Sequence, residues 1–498
     1  MDSRTIVAPM TPAGVSAVAA VRVSGPEVRD VVRALFGDAA LATIKPREVR
    51  LGTARYPRPA DAGEGECLTA APAIDSLVYV FFEGPNSYTG EDVLELYPHG
   101  NPLIVRELIR AIREVGGVRL AEPGEFTRRA FLNGKMDLAQ AESVADVIHS
   151  ANLSELRNAH RLLGGALSKR VVSLAEQVKD ISARLELDVD FAEEEADPDY
   201  AAWGDKIAAI RSNVVAMLKS FKGAAVRRLP LVVLYGAPNA GKSSLANALL
   251  GEDRILVSDI PGTTRDFVEV RLFLDGGEIR LVDTAGIAAQ ATDKLDALSM
   301  EKSREILEEA DLKILVDAGE DEVRGTMPEV RGSMPEARGS MPVARCSMPV
   351  AREKGEPASR VIARERSDRG NLNPDFIVHS KSDLRDASTA EGACQNSLRV
   401  SSKTGEGLDE LKRMMNETLF KNDEASEDFW ITSEREKACL EDALAGIDRA
   451  LDLIRTNPAV ELLAFEMQLV RRALQSIVGE ISSEDILQSI FAGFCIGK

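Results

Sequence analysis

Eight residues near the middle of the chain have the types and spacing of a phosphate-binding loop. They read Gly236-Ala237-Pro238-Asn239-Ala240-Gly241-Lys242-Ser243, which matches the pattern Gly-x-x-x-x-Gly-Lys-Ser. In such a loop, backbone N–H groups and a helix N-terminus surround the phosphates, the lysine reaches the β and γ oxygens, and the serine hydroxyl binds Mg²⁺. We therefore predict a nucleoside-triphosphate site. Its predicted binding residues in this loop are Asn239, Ala240, Gly241, Lys242, Ser243 and Ser244.

This loop requires a strand before it and a helix after it. Residues 231–235 (Leu-Val-Val-Leu-Tyr) are apolar and β-branched, which is typical of a buried parallel strand. Residues 244–250 have helical composition and end at Gly251. The flanking sequences therefore predict the strand, loop and helix that a Walker A match needs.

Two further motifs indicate nucleotide hydrolysis. Asp283 ends a predicted strand at 279–282 and opens the motif Asp-Thr-Ala-Gly, so it can hold Mg²⁺ through water while the N–H of Gly286 contacts the γ-phosphate. A Gly-Thr-Thr-Arg-Asp motif lies upstream and supplies Thr263 and Thr264, the second of which is a predicted Mg²⁺ ligand. Either motif alone is a common turn, but their order and spacing favour a GTPase.

Guanine recognition requires a carboxylate that accepts hydrogen bonds from N1–H and the amino group. Asp383, which ends the motif Ser-Lys-Ser-Asp, supplies this carboxylate, and the stem of Lys381 covers the base. Ser380 stands where asparagine usually begins the motif. Ser402 and Lys403 fall in the next base-contacting loop. Each motif alone is as often an ordinary turn, whereas the set favours GTP over ATP.

The residue that orients the attacking water in Ras-like enzymes is missing. Those enzymes carry glutamine directly after the Asp-x-x-Gly motif, and Ile287 occupies this position here. An aliphatic side chain cannot orient water. Another group, a cation or a partner surface must therefore replace it.

The composition is that of a soluble globular protein. The chain has 498 residues, room for about three domains, and is 44% apolar and 28% charged. Its 61 Lys and Arg against 80 Asp and Glu give a formal charge of −19, which argues against broad non-specific nucleic-acid binding. We expect a cytoplasmic protein without a membrane segment. Its five cysteines are dispersed without a C-x-x-C pair, and it has neither a signal-peptide pattern nor a long apolar run.

Periodicity outlines the remaining organisation. We predict strands at 15–23 and 74–82, a helix at 102–115, one long helix along the apolar seam at 153–185 and a second helix at 206–222. The chain becomes helical again beyond 427. A seven-residue repeat with proline in every unit begins at Met327. Because proline interrupts helical hydrogen bonds, we predict a disordered insertion at 320–372, with an RNA-binding arm as the alternative.

These motifs, together with three further stretches, resemble the MnmE (TrmE) family of tRNA-modification GTPases. The stretches are GPNSYTGED at 84–92, PGEFTRRAFLNGKMDL at 123–138 and FCIGK at 494–498. The resemblance covers nearly the whole chain and implies a multidomain α/β fold. Its implied parts are an N-terminal α+β folate-binding-like dimerisation domain (1–120), a split all-helical domain (121–223 and 425–498) and an inserted Ras-like P-loop GTPase domain with a doubly wound sheet (224–424).

The resemblance also implies how GTP is cleaved. In the family, hydrolysis is activated by K⁺ and by pairing of the GTPase domains of a homodimer. The implied K⁺ ligands are Asn239 and, in the loop before Gly262, Ser258 and Ile260. The family's catalytic glutamate aligns with Asp296, whose side chain is one methylene shorter. The implied Mg²⁺ ligands are Ser243, Thr264 and Asp283.

The resemblance further implies a pathway and partners. With the FAD-dependent protein MnmG (GidA), in a heterotetramer or larger assembly, the family adds a carboxymethylaminomethyl or aminomethyl group to C5 of the tRNA wobble uridine. A tetrahydrofolate derivative is the one-carbon donor, and Arg22 and Glu125 are the implied folate contacts. Cys495 is either a catalytic thiol or an inert one. The chain departs from the family at 14–17, where Gly-Val-Ser-Ala replaces Gly-Arg-Gly-Gly, and at Asn101.

Two alternatives remain open on the sequence. One is a GTP-regulated ribosome-assembly factor of the Era or EngA kind, which would act as a binding switch. The other is a degraded GTPase that binds nucleotide with little turnover, as Ser380, Asp296 and the repeats suggest.

Overall fold

The computed structural model divides the chain into two units. The first comprises Met1–Arg228 with Asp423–Lys498, and the second comprises Leu229–Asn422. No described helix is long and apolar enough to cross a membrane. The described residues are 3–57, 71–190, 200–222, 228–237, 239–251, 269–283, 305–318, 374–380, 397–420, 429–456, 459–480 and 484–497.

The first unit begins with a mixed sheet. Its described strands are β1 (Thr5–Pro9), β2 (Val21–Ser24), β3 (Val49–Arg55), β4 (Ala73–Phe82), β5 (Val93–Tyr97) and β6 (Val118–Leu120). They lie in the order β3-β4-β5-β2-β1-β6, with β1 and β6 parallel and the other neighbours antiparallel. The helices that accompany the sheet are α1 (Val28–Phe36), α2 (Asp38–Thr43) and α3 (Pro102–Arg113).

Successive side chains of β1 pack on opposite faces of this sheet. Val7 packs into the core that α1 and α3 cover, whereas Ile6 and Ala8 point to the opposite face and pack with Phe126. Asn101 caps α3, because its side chain accepts a hydrogen bond from the backbone of Leu103. The predicted strand at 74–82 and helix at 102–115 are confirmed as β4 and α3.

The predicted strand at 15–23 is wrong in its first half. Only β2 pairs in the sheet, and before it Val18 forms an isolated bridge with His99. Val15 is 91% exposed, so this apolar stretch has no buried face into which it could alternate. Hydrophobicity without a packing partner was not sufficient to form a strand.

Helices follow the sheet: α4 (Glu125–Leu132), α5 (Leu138–His149), α6 (Leu153–Leu163), α7 (Ala166–Asp190) and α8 (Tyr200–Lys219). The single long helix predicted at 153–185 is wrong, because the chain breaks at Gly164-Gly165 between α6 and α7. Gly165 has φ +81°, a left-handed conformation that ends a helix, and its N–H donates to the Leu162 carbonyl. The second predicted helix is present as α8, with its start six residues earlier and its end three residues earlier than expected.

The second unit is an open, mostly parallel sheet. Its described elements are β7 (Leu231–Tyr235), α9 (Lys242–Leu250), β8 (Glu269–Leu274), β9 (Gly277–Asp283), β10 (Leu312–Asp317), β11 (Phe376–His379), β12 (Ser397–Arg399) and α10 (Leu408–Phe420). The strand order is β12-β11-β10-β7-β9-β8, and only β8 is antiparallel to its neighbour. The strands predicted at 231–235, 279–282 and 376–379 are confirmed.

Both faces of this second sheet are covered. Val232 and Leu234 pack with apolar residues of α9 and α10 on one face. Leu231 and Val233 pack on the other face with Leu307, in the helical residues 305–309. Burial on both faces explains why the strand sequence is continuously apolar. The repeats predicted as an insertion at 320–372 lie outside the described residues.

The chain then returns to the first unit with α11 (Glu434–Thr456), α12 (Val460–Val478) and α13 (Glu484–Ala492), as the helical composition beyond 427 predicts. One hydrophobic core contains side chains from α7 and α8 and from α11 and α12. A smaller cluster joins α5 to α13 and to Phe494. Residues on both sides of the second unit therefore complete the same helical core.

The adjacent glycines between α6 and α7 provide a matched stability test. Gly165→Ala should lower the free energy of unfolding of the first unit by about 1 kcal/mol, because alanine disfavours a left-handed backbone. Gly164→Ala should have a smaller effect, because Gly164 has φ −71°. The chain's two tryptophans, Trp203 and Trp430, are both buried in the first unit, so their fluorescence during denaturant unfolding reports on it. Equal effects of the two substitutions would contradict the prediction.

Candidate functional site

The described residues predicted to bind nucleotide lie at the carboxyl ends of parallel strands. The P-loop follows β7, Asp283 ends β9, Ser380 follows β11 and the turn containing Ser402 follows β12. Since β9, β7, β10, β11 and β12 run parallel, these ends meet at one edge of the sheet. The strand order reverses between β7 and β10. Open α/β sheets bind ligands at such a topological switch point.

The backbone of the P-loop depends on glycine at its start. Gly236 has φ +144°, and a Cβ there would overlap the carbonyl oxygen of Val316 on β10. Asn239, whose side chain is exposed, has φ +62°, and Gly241 has φ +92° where α9 begins. Three residues of the loop, Gly236, Asn239 and Gly241, therefore have the positive φ angles that favour glycine.

Lys242 is folded back over the loop. Its ammonium donates to the carbonyl oxygens of Gly236 (3.0 Å) and Ala237 (2.7 Å), and the residue is only 4% exposed. Burial lowers the pKa of Lys242, although the nearby charge of Asp283 acts in the opposite direction. The ammonium is held inside the loop, where a phosphate chain would offer it better acceptors than two carbonyls.

Ser243 and Asp283 bring together two oxygen groups. The Ser243 hydroxyl donates to Oδ2 of the Asp283 carboxylate, and Asp283 is buried. Hydroxyl and carboxylate oxygens are the hard ligands that Mg²⁺ prefers. These two residues, which come from the start of α9 and the end of β9, therefore fit a magnesium site.

Ser380 ties β11 to the P-loop. Its buried hydroxyl lies 2.6 Å from the carbonyl oxygen of Ala240 and 3.3 Å from that of Asp317. A hydroxyl has one hydrogen to donate, and here both neighbouring acceptors are protein carbonyls. The sequence showed Ser380 only as a replacement for asparagine. The structure adds that it positions the loop.

The predicted base-contacting residues Ser402 and Lys403 lie in an ordered turn. Ser401 is buried, and its backbone closes the turn through hydrogen bonds with Gly405 and Glu406 at 2.9 Å. Ser402 is half-buried and Lys403 is exposed. The turn therefore presents both side-chain positions at the edge where the P-loop lies.

Other predicted residues fall outside the part of the chain that the structure describes, so their roles stay predictions. They are Ser258, Ile260, Thr263, Thr264, Gly286, Asp296, Lys381 and Asp383.

Arg22, a predicted folate contact on β2, has a buried guanidinium nitrogen without a hydrogen-bond partner among the described residues. Its Nε and Nη2 donate to Glu95 on β5 at 3.0 and 2.8 Å, and its guanidinium lies 4.7 Å from the ring centre of Tyr88. The buried Nη1 has no hydrogen-bond partner among the described residues. A buried donor of this kind is costly unless an acceptor binds to it, so Arg22 fits contact with a polar or anionic ligand.

Glu125, the other predicted folate contact, is engaged within the protein. Its carboxylate accepts from Arg119 at 2.6 and 2.7 Å, from Arg129 at 2.9 Å and from the backbone of Glu122 at 2.9 Å. Burial acts to raise the pKa of Glu125, but these hydrogen bonds outweigh burial and hold the pKa below its usual range. The geometry gives Glu125 a structural role, and its contact with folate stays a prediction.

Cys495 has a neighbour that the sequence did not reveal. Its sulfur lies 3.9 Å from Nε2 of His149, which is 346 positions away, and Nδ1 of the same ring lies 2.9 Å from the Ala145 carbonyl oxygen. Because a carbonyl only accepts, Nδ1 carries the hydrogen, which leaves Nε2 to accept from the thiol. Only the fold brings these two residues together.

Two family comparisons cover most of the chain. Residues 5–135 match the GTP-binding protein TrmE N-terminus, and residues 138–495 match the MnmE helical domain. The chain belongs to the MnmE family. This membership confirms the resemblance read from the motifs at 84–92, 123–138 and 494–498, and it agrees with the sheet, helical core and P-loop unit described above.

Curated relatives in the MnmE family align along the full chain. Each is named tRNA modification GTPase MnmE. The protein of Photobacterium profundum is 33% identical over 511 residues, 99% of both chains. That of Neisseria meningitidis is 37% identical over 504 residues, again 99% of both, and that of Cupriavidus pinatubonensis is 36% identical over 504 residues, 99% of this chain and 98% of its own.

Among solved structures, the chain is similar to the G domain of the T. maritima FeoB iron transporter. The two are 22% identical, the match covers 38% of this chain and 99% of that one, and the TM-score is 0.21. A similarity at this TM-score supports no conclusion about the chain.

The contact of Ser380 with the P-loop generates a binding prediction. Ser380→Ala removes the hydrogen bond to Ala240 and should weaken GDP binding by about 1 kcal/mol, or about fivefold. Ser380→Asn restores a donor and adds a second N–H, so it should bind GDP at least as tightly as the unsubstituted chain. Titration with a fluorescent GDP analogue measures both.

The control is Thr418→Ala, which removes an exposed hydroxyl that donates to the Met414 carbonyl on α10. GDP binding should not change in this variant. If Ser380→Ala bound GDP like the unsubstituted chain, the positioning role of the hydroxyl would be excluded.

Proposed function

We propose that this chain binds and hydrolyses GTP in the modification of tRNA. The observation that carries the proposal is the meeting of Lys242, the Ser243–Asp283 pair and Ser380 at one edge of the sheet, in a chain that aligns with MnmE proteins over 99% of its length. No described feature favours the ribosome-assembly alternative.

The described residues provide binding and charge at the phosphates. Lys242 would exchange the carbonyls of Gly236 and Ala237 for phosphate oxygens, and its burial strengthens that attraction. Ser243 and Asp283 would hold Mg²⁺, which neutralises charge on the phosphates when it is bound. The start of α9 directs its backbone N–H groups to the same place.

A monovalent cation would supply the charge that other GTPases obtain from an arginine finger. We propose K⁺, with the exposed carboxamide of Asn239 as one ligand and Ser258 and Ile260 as others. Carboxamide oxygen is a suitable ligand for such an ion, and the left-handed backbone at Asn239 leaves its side chain exposed beside the loop. Asp296 would orient water, since Ile287 cannot.

The tRNA chemistry requires further partners. We propose that a homodimer of this chain acts with the flavoprotein MnmG on the wobble uridine and uses a tetrahydrofolate derivative bound near Arg22. The Nη1 of Arg22, which has no hydrogen-bond partner among the described residues, supports a ligand there. The carboxymethylaminomethyl or aminomethyl product contains a nitrogen that the one-carbon unit does not provide. The reaction must therefore also consume an amine.

The first test is the cation dependence of hydrolysis. With Mg²⁺ present, GTP turnover should be about tenfold or more faster in K⁺ than in Na⁺, because the cation adds positive charge at the phosphates. Lys242→Ala should abolish turnover, and Lys179→Ala, which removes an exposed lysine on α7, should not change it. Equal rates in the two salts would exclude the role of potassium, and no turnover in either would support the degraded GTPase instead.

The second test concerns the pathway. Cells that lack this chain should lose the carboxymethylaminomethyl or aminomethyl group from wobble uridine, as measured by mass spectrometry of tRNA nucleosides. The unsubstituted chain should restore it, whereas Lys242→Ala should not. If the nucleosides were unchanged and the chain co-sedimented with ribosomal subunits, the assembly-factor alternative would replace this proposal.

A further inference from the structure

A cavity of about 320 Å³ lies in the first unit beside the C-terminal residues. It is bounded by α5, by the residues that lead into α11, and by the end of α13 with Gly493 and Phe494. His149, the neighbour of Cys495, also lines it. The carboxylate side chains in its wall are Glu142, Asp146, Glu434 and Glu436.

Three of these carboxylates have protein partners. Glu142 accepts from Nε and Nη2 of Arg435 at 2.9 and 3.0 Å. Asp146 accepts from the Thr432 hydroxyl at 2.8 Å. Glu434 is largely exposed and lies 3.6 Å from the Lys437 ammonium. Neither Arg435 nor Lys437 lines the cavity, so the ionisable side chains in its wall are the four carboxylates and His149.

Glu436 differs from the other three. It is only 2% exposed, and its Oε2 is buried without a hydrogen-bond partner among the described residues. Burial, and then the charge of Glu142, raise the pKa of Glu436 well above its usual range, and a proton shared with Glu142 can neutralise it. A buried carboxylate needs either that proton or a cation that enters the cavity.

The geometry favours a cation that carries N–H donors. Within the described residues, no group of three or more His, Cys, Asp or Glu side chains is arranged to hold a metal ion. The cavity is also much larger than a bare ion. An ammonium group can donate to several separated oxygens at once, and the wall offers carboxylates and the hydroxyls of Ser433 and Thr432.

We propose that this cavity binds the ammonium group of a small primary amine and that Glu436 accepts its hydrogen bonds. The proposal rests on the proposed function only for the reason why the chain would bind an amine, because that modification consumes one. The amine can be free ammonia, or glycine, whose attachment through nitrogen gives a carboxymethylamino group. Both present the same ammonium group to Glu436.

The binding test uses the full-length chain without nucleotide. Saturation-transfer NMR should detect methylammonium chloride and glycine, and ammonium chloride should compete with them more strongly than KCl at equal ionic strength. Acetate, which has the carboxylate of glycine without the amine, should not bind. If glycine bound much more tightly than methylammonium, the amine would come from an amino acid. Comparable binding of the two would identify ammonia as the source. The proposal would be overturned if acetate bound as tightly as glycine, or if no amine bound.

Matched variants assign the binding to this cavity. Glu436→Gln keeps the shape of the side chain and should weaken amine binding at least tenfold. Glu441→Gln, on the exposed side of the same helix, should not change it. Ala145→Leu narrows the cavity without altering its charge and should also weaken binding. Tryptophan fluorescence checks that each variant is folded, and unchanged binding in folded Glu436→Gln and Ala145→Leu would exclude the site.

These variants also separate this inference from the proposed function. Each changes the first unit only, so GTP turnover should equal that of the unsubstituted chain. GTP turnover without amine binding would overturn this inference and leave the proposed function intact. Glu436-dependent amine binding without GTP turnover would overturn the proposed function alone.

Proton release provides an independent readout. Because the pKa of Glu436 is raised, the carboxyl is protonated at lower pH, and a bound ammonium must displace that proton. Amine binding should therefore strengthen as pH rises through the raised pKa of Glu436 and should release a proton, measured by calorimetry in two buffers of different ionisation enthalpy. The charged groups that act on Glu436 are Glu142, Asp146 and Arg435, of which Arg435 opposes the rise in its pKa, and Glu434 and His149 also line the cavity. His149→Gln should retain the release and Glu436→Gln should lose it; the reverse result would contradict the proposal.

Discussion

The nucleotide site depends on the close approach of Gly236 to the carbonyl of Val316. Any side chain at Gly236 would overlap that oxygen, so the loop can leave β7 in this direction only with glycine there. The turn that follows directs α9 back over the sheet edge, places Lys242 above the loop and brings Ala240 within 2.6 Å of Ser380. One backbone contact between neighbouring strands thus aligns groups that are far apart in sequence.

Features that the sequence predicted correctly are local. The apolar strand β7, the glycine spacing of the P-loop and the position of Asp283 at the end of β9 follow from periodicity and turn chemistry. The helix break at Gly164-Gly165 also has a local signal in its paired glycines, but the apolar pattern continues on either side of it and masks the break. In contrast, the pairing of His149 with Cys495 depends on α13 packing against α5. No local pattern contains this information.

Two buried glutamates illustrate why residue type alone does not predict a role. Glu125 accepts hydrogen bonds from two arginines and a backbone N–H, so its pKa is lowered and its contribution to stability is lost as pH falls through that pKa. Burial and the facing carboxylate of Glu142 raise the pKa of Glu436, whose Oε2 has no donor among the described residues, so its contribution to stability is lost as pH rises through that pKa. The sequence shows two glutamates near arginines. Only the surroundings distinguish a structural centre from a group that needs a proton or a ligand.

In the first unit, the segment that leads into the second unit lies beside the segment that returns from it. The N–H of Lys222 donates to the Ile431 carbonyl at 3.0 Å, and its ammonium lies 4.0 Å from the centre of the Trp430 ring. The Asn158 side chain exchanges two hydrogen bonds of 3.0 Å with the backbone of Trp430. Because Asn158 belongs to α6 and Trp430 lies four residues before α11 begins, these contacts attach Lys222 and Trp430 to the helical core. The residues that precede and follow the second unit are therefore held by one helical core, to which Ala139 of α5 also belongs.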